Sequence, residues 1–159
     1  MKILLDADSC PKAARDLILK RAAKLNLVVI FAANHLIPSE IENAGIKKAA
    51  QMEICSAAEN SADDRIVELS EQGDLAITRD IPLAKRLIDK SVFVIDDRGR
   101  VFTANNINEI LSLRNFTVGL AESGLEFDRI ANYGKKELKS FADSLDRVLT
   151  QINMKKKQP

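Results

Sequence analysis

Residues 2–33 read KILLDADSCPKAARDLILKRAAKLNLVVIFAA. Lys2 to Asp6 is a short apolar strand. From Pro11 to Leu25, apolar residues recur at helical spacing, at Ala14, Leu17, Ile18, Ala22 and Leu25, which predicts a helix. Ser9 stands where a cap is expected, with Pro11 in the first turn. Leu27 to Ala33 is a continuous apolar run rich in β-branched residues, the pattern of a strand covered on both faces. Together these make a βαβ unit.

The pattern continues beyond it. Residues 34–46 are polar and contain Pro38 and Gly45, which reads as a loop or a short helix, and Met52 to Cys55 as a third strand. Ser61 to Gln72 is a helix stopped by Gly73, Asp74 to Thr78 a strand, and Ile81 to Asp89 a helix. Val92 to Ile95 is again a strand, and Asp97-Arg98-Gly99-Arg100 a hairpin turn into Val101-Phe102-Thr103. Helical patterns follow near Ile107 to Leu113, Phe116 to Glu122 and Glu137 to Ile152. The expected architecture is α/β: one domain over residues 1–154, with three layers, a central mainly parallel sheet, helices on both faces and a helical C-terminal part. Residues 155–159, KKKQP, are expected to be a frayed basic tail. In such sheets ligands bind outside the carboxyl ends of the strands, near a topological switch point.

Charge limits the choice of partners. The chain has 24 basic and 23 acidic residues, so no whole-molecule field draws it to nucleic acid or a membrane, and any nucleic-acid site needs a local basic patch. The opening MKILLD reaches an acid too early for a secretory segment, and no stretch resembles a membrane span. Cys10 and Cys55 form no metal-ligand pattern and are expected to be reduced thiols in a cytoplasmic protein.

Aspartates gather where the chemistry is expected. Asp6 and Asp8 follow the first strand, Asp63 and Asp64 open a helix, and Asp80 follows Leu75-Ala76-Ile77-Thr78-Arg79. Carboxylates about 4 Å apart repel by roughly 4 kcal/mol at an effective dielectric of about 20, so a cluster calls for a cation. Mg²⁺ and Mn²⁺ suit such oxygen ligands. The competing account is helix capping, for which aspartate is favoured, and Asp8 or Ser9, Ser61 or Asp63, and Asp80 each precede a helical pattern. The doublet Asp6-x-Asp8 has more carboxylates than one helix start needs.

Other residues carry weaker signals. Asn34 closes the second strand on the same edge and is a candidate for a substrate phosphate, although Asn is common where strands turn into loops. Arg79, Lys85, Arg86, Arg98, Arg100 and Arg114 are candidates for phosphate contacts, of which Arg79 and Arg98 are singled out. His35 reads as a loop residue. Asp74 begins a strand and belongs at the opposite edge; Asp96 is a further candidate metal contact, and Asp97 a turn residue. Cys10, near a helix start, is a weak candidate nucleophile without a placed base. With one tyrosine, Tyr133, and no tryptophan, a base-stacking platform is poorly supported.

The segments LDADSCP at 5–11, ADDRIV at 62–67 and GDLAITRDIPLA at 73–84 resemble the YaiI/YqxD family of bacterial proteins. So do Arg98-Gly99, Thr103 with Asn106-Ile107, and Phe141 with Leu145-Asp146-Arg147. The resemblance implies a PIN-like fold, the fold of many metal-dependent ribonucleases, with Asp6, Asp63 and Asp80 in the metal-binding positions and Asp8 as an added carboxylate. Asn60 stands where the resemblance leads one to expect aspartate, Ala121 where it leads one to expect arginine, and a glycine-rich stretch is missing near 125–130. The leading expectation is a Mg²⁺- or Mn²⁺-dependent phosphodiesterase acting on RNA or DNA, with Asp6, Asp8, Asp63 and Asp80 at the catalytic centre. One alternative is a non-catalytic module that binds RNA or protein. Another is a haloacid-dehalogenase-like phosphatase with Asp6 as nucleophile, in which Cys10 departs from the expected threonine.

Overall fold

The computed structural model describes residues 1–35, 50–58, 60–125 and 132–157. Among these the elements are β1 (Lys2–Asp6), α1 (Lys12–Leu25), β2 (Val28–Ala33), β3 (Ala50–Ile54), α2 (Ser61–Leu69), β4 (Leu75–Ile77), α3 (Ile81–Asp89), β5 (Phe93–Ile95), β6 (Val101–Phe102), α4 (Ile107–Glu122) and α5 (Lys135–Lys157). The sheet order is β3-β2-β1-β4-β5-β6, parallel except for the β5–β6 pair. The α/β reading with a mainly parallel sheet therefore holds.

Period-two alternation sorts the strand residues between two apolar layers. Ile3, Leu5, Val29, Phe31, Leu75 and Ile77 pack with residues of α1 and α5, including Ile18, Phe141 and Leu145. Leu4, Ile30, Ala76 and Val94 face the other way, onto Ile66, Leu83, Leu87 and Ile107 of α2, α3 and α4. Each large side chain so enclosed contributes roughly 1.5–3 kcal/mol by leaving water. Helices thus cover both faces, and the carboxyl ends of the parallel strands share one edge.

Several boundaries differ from the sequence reading for local reasons. Helix α1 begins at Lys12, with Pro11 at the cap position and no side-chain cap, because the Ser9 hydroxyl is bonded to Asp6 instead. Helix α2 stops at Leu69, where the Ser70 backbone turns extended and its hydroxyl donates to the Val67 carbonyl at 2.8 Å. Gly73, at φ +83°, serves the following turn, and its N–H donates to the Ser91 carbonyl. The two patterns at 107–113 and 116–122 are one 16-residue helix, since neither Arg114 nor Asn115 breaks it. Helix α5 runs to Lys157 where a frayed tail from 155 was expected, and the Lys155 ammonium lies 5.1 Å from the centre of the Phe93 ring. Most of the polar stretch after Asn34, and residues 126–130 of the expected glycine-rich stretch, lie outside the described residues. No helix among the described residues is long and apolar enough to cross a membrane.

The hairpin turn is as expected and is tied to α5. Gly99 has φ +91°, and a Cβ there would lie 2.5 Å from the Ser140 carbonyl oxygen, so only glycine fits. The Ser144 hydroxyl donates to the Gly99 carbonyl at 2.7 Å.

Candidate acidic site at the strand switch point

From β1 the chain crosses to β2 on one side, and it later enters β4 on the other. The crevice between β1 and β4 is therefore the switch point at which such sheets bind ligands. Asp6 ends β1 there. Its Oδ2 accepts hydrogen bonds from the Ser9 hydroxyl at 2.8 Å and from the Thr78 hydroxyl at 3.2 Å, the second crossing directly to the end of β4. Thr78 also accepts from the Asp80 N–H at 3.0 Å, which fixes the Thr-Arg-Asp turn against β1.

The capping account separates the aspartates. Asp80 is a true N-cap: its Oδ1 accepts from the Leu83 N–H at 2.8 Å. Asp8 is not, since its carboxylate accepts from the Asn34 N–H at 3.1 Å and lies 3.2 Å from His35 Nδ1. Asp63 sits in the first turn of α2, the cap position there is Asn60, at φ 61°, and no side chain caps the helix. Among the described residues the Asp63 carboxylate has no hydrogen-bond or ion-pair partner.

Electrostatics link these groups. Burial pushes the Asp63 carboxyl up to about 6, and the charges of Asp80 and Asp6 push the same way, with Arg86 opposing. Asp6 is also raised, first by burial; the Ser9 and Thr78 hydrogen bonds offset this, and the charges of Asp8 and Asp80 add to it. Asp6, Asp63 and Asp80 thus feel one another across three chain segments, and Asp8 acts on Asp6. As placed they are not a closed ligand set: among the described residues no three Asp, Glu, His or Cys side chains are grouped to hold an ion.

The cations are arranged differently from the expectation. Arg79 pairs through both Nε and Nη2 with the buried Asp97 carboxylate, with 2.6 Å at Nε. Its side chain also lines a cavity of about 380 Å³ with Asp6, Ser9, Asp80, Ile81 and Arg114. Arg98 lies 5.9 Å from the Tyr133 ring centre and is not among those lining residues, so the structure does not bring it to the cavity. Arg114 of α4 does reach it. Asn34 is placed beside Asp8 and α2, its Oδ1 accepting weakly from the Ser61 hydroxyl at 3.5 Å.

Asp96, expected as a metal contact, shapes the turn, and Asp97, expected to shape it, pairs with Arg79. Asp96 Oδ1 accepts from the N–H groups of Arg98 and Arg100 at 2.9 and 2.8 Å and so shapes the turn. Asp97 is the buried partner of Arg79, and its carbonyl accepts from the Tyr133 hydroxyl at 2.8 Å. Burial, and next the Asp97 charge, raise the Cys10 thiol, which argues against a thiolate nucleophile. Both cysteines are free thiols. Sequence reasoning missed Ser9 and Thr78 as partners of Asp6; a hydroxyl three residues after a strand-ending aspartate was the available signal for Ser9.

A family model described as "Uncharacterized BCR, YaiI/YqxD family" matches residues 4–151. The chain belongs to the YaiI/YqxD family. Relatives of this YaiI/YqxD protein include a UPF0178 protein of Treponema denticola, 48% identical over 151 residues, covering 95% of this chain and 93% of the relative. A UPF0178 protein of Myxococcus xanthus is 39% identical, covering 96% of each chain, and one of Treponema pallidum is 41% identical, covering 96% of this chain and 83% of its own. No solved structure matches the chain.

Proposed function

We propose that this YaiI/YqxD protein is a PIN-like, metal-dependent phosphodiesterase of the cytoplasm that acts on RNA or DNA at the β1–β4 crevice. One observation carries the reading: Asp63, half-buried and without a hydrogen-bond or ion-pair partner among the described residues, faces the charges of Asp80 and Asp6, which with burial raise its proton affinity. Arg86 offsets only part of this repulsion, and the remainder favours positive charge at the site. The donor set is all carboxylate oxygen, which suits Mg²⁺ or Mn²⁺, with Asp6, Asp63 and Asp80 as the holding residues. A bound cation of this kind supplies Lewis acidity toward a phosphate and its attacking water.

The chain's own residues do the rest. Ser9 and Thr78 fix one oxygen of Asp6, and the Leu83 N–H fixes one oxygen of Asp80, so each keeps a second oxygen for a ligand. Asp8, held by the Asn34 N–H and beside His35, biases Asp6 by its charge, and in this reading it would help orient a water. Arg114, and Arg79 in its ion pair with Asp97, line the cavity that would take the phosphate.

The test is thermal melting of wild type and Asp63→Asn with and without Mn²⁺ or Mg²⁺, because a ligand bound only by the native state raises its stability. A metal-induced rise in wild type, lost in Asp63→Asn together with hydrolysis of bis(p-nitrophenyl) phosphate, is expected. An identical metal response in both proteins sinks the proposal.

A further inference from the structure

A second cavity, of about 310 Å³, adjoins the acidic one and shares two of its walls, Ile81 and Arg114. Ile110, Leu113 and Val118 line it from α4, at the i, i+3 and i+8 positions of one helical face. Arg100, from the β5–β6 hairpin, and Thr117 of α4 also line it. Leu113 is 60% exposed and Val118 40% exposed, so this face of α4 is an apolar surface without a cover among the described residues.

An apolar wall with two guanidinium groups in its lining, continuous with an acidic cavity, has a specific complement. We propose that the α4 groove takes the base and sugar of an unpaired nucleotide whose phosphate lies at the β1–β4 crevice, which makes the substrate a single-stranded nucleic acid. The assignment rests on the phosphodiesterase reading for the position of the phosphate, but its own evidence is the groove. The cavity is at the small end of the roughly 300–1,000 Å³ range of ligand sites, which suits one flat group rather than a packed helix. Arg100 and Arg114 both line the groove beside its apolar residues, which suits a charged backbone next to a base, and guanidinium planes stack on bases where tryptophan and tyrosine are scarce. A duplex cannot use the groove, because its bases face each other.

The test compares a fluorescein-labelled single-stranded oligouridylate with an abasic oligonucleotide of the same length, by anisotropy in EDTA so that neither is cut. The two have the same phosphates, so the difference between them isolates the base whether or not the carboxylates hold a metal. The oligouridylate is expected to bind about tenfold more tightly, on the scale of base contacts with a protein surface. Val118→Asp is expected to erase that difference while leaving abasic binding in place, and Leu113→Ser, which adds no charge, to erase most of it. Equal affinity for the two oligonucleotides, including undetectable binding of both, overturns the assignment. So does loss of self-association in Val118→Asp by sedimentation with no change in the base-dependent difference, which would make the groove a contact between copies. Loss of the Mn²⁺ melting response, with the base-dependent difference intact, would instead fault the phosphodiesterase reading alone.

Discussion

Asp74 and Asp63 are both held against the sheet, at opposite ends of its strands, and they are treated in opposite ways. Asp74, 2% exposed at the amino end of β4, accepts from the Lys2 and Glu71 N–H groups, each at 2.9 Å, and pairs with the Lys2 ammonium at 2.9 Å. Asp63, at the carboxyl end, meets other carboxylates and no hydrogen-bond donor among the described residues. Buried polar groups are ordinarily satisfied, as Asp74 is, whereas Asp63 is half-buried among like charges and leaves its carboxylate to solvent or a ligand. Charge stabilises the fold at one edge and is stored at the other.

The largest effect that tests this contrast is expected from Asp74→Ala. It strands the Lys2 and Glu71 N–H groups and leaves the Lys2 ammonium on the exposed Glu71 carboxylate, and should cost about 3 kcal/mol. Chemical denaturation of the variant measures it directly. A loss below 1 kcal/mol, on the scale of an exposed pair, would mean the amino edge is not the stabilising half of the contrast.

Asp80 stands between the two cases, since it caps α3 and also acts on Asp63. Asp80→Ala loses the cap and is expected to cost about 1 kcal/mol. Asn caps nearly as well and carries no charge, so Asp80→Asn should leave the metal-free protein as stable as wild type or more so. Equal destabilisation by Ala and Asn would show that the charge itself is needed, and that repulsion is not what Asp80 contributes.

How much of this was legible in the chain depends on the range of the interaction. The limits of β1 and α3 follow from local apolar periodicity, from Asp6 ending the first and from the Asp80 cap with Pro82 beginning the second. Asp6 and Asp80 could be assigned to one edge because each follows a parallel strand. The Thr78 partner of Asp6 could not be assigned, because the two meet only when β4 is placed beside β1, and no local pattern records strand order. The same holds for Arg79: its pairing with Asp97 requires β5 beside β4, so its charge looked free in the sequence. Arg114 belongs to a helix whose docking on α3 carries it to the cavity, and its spacing in α4 gave no hint of that. Strong local rules also misplaced details where tertiary contacts won, as when Ser9 served Asp6 rather than the start of α1.

The smallest expected effect, and the most specific to the carboxyl edge, is in pH. The Asp63 carboxyl, raised from 3.8 to about 6, binds its proton more tightly in the folded chain than in the unfolded one. Between roughly pH 4 and 6 the native state therefore holds more protons, and unfolding free energy falls as pH rises through this window. The contribution is fully present below pH 4 and gone above pH 6. Asp6 is shifted in the same direction and adds to the slope. Solvent reaching Asp63 screens the effect, so a change of a few degrees in melting is the expected scale for metal-free protein between pH 5 and pH 7. Other carboxylates titrate in the same range, so the informative quantity is the melting difference between wild type and Asp63→Asn at each pH. That difference should shift toward the variant as pH rises, and Mn²⁺ at pH 7 should reverse it by stabilising wild type alone. Parallel curves for the two proteins would mean that Asp63 titrates as an ordinary exposed acid, and the contrast with Asp74 would then be one of hydrogen bonding only.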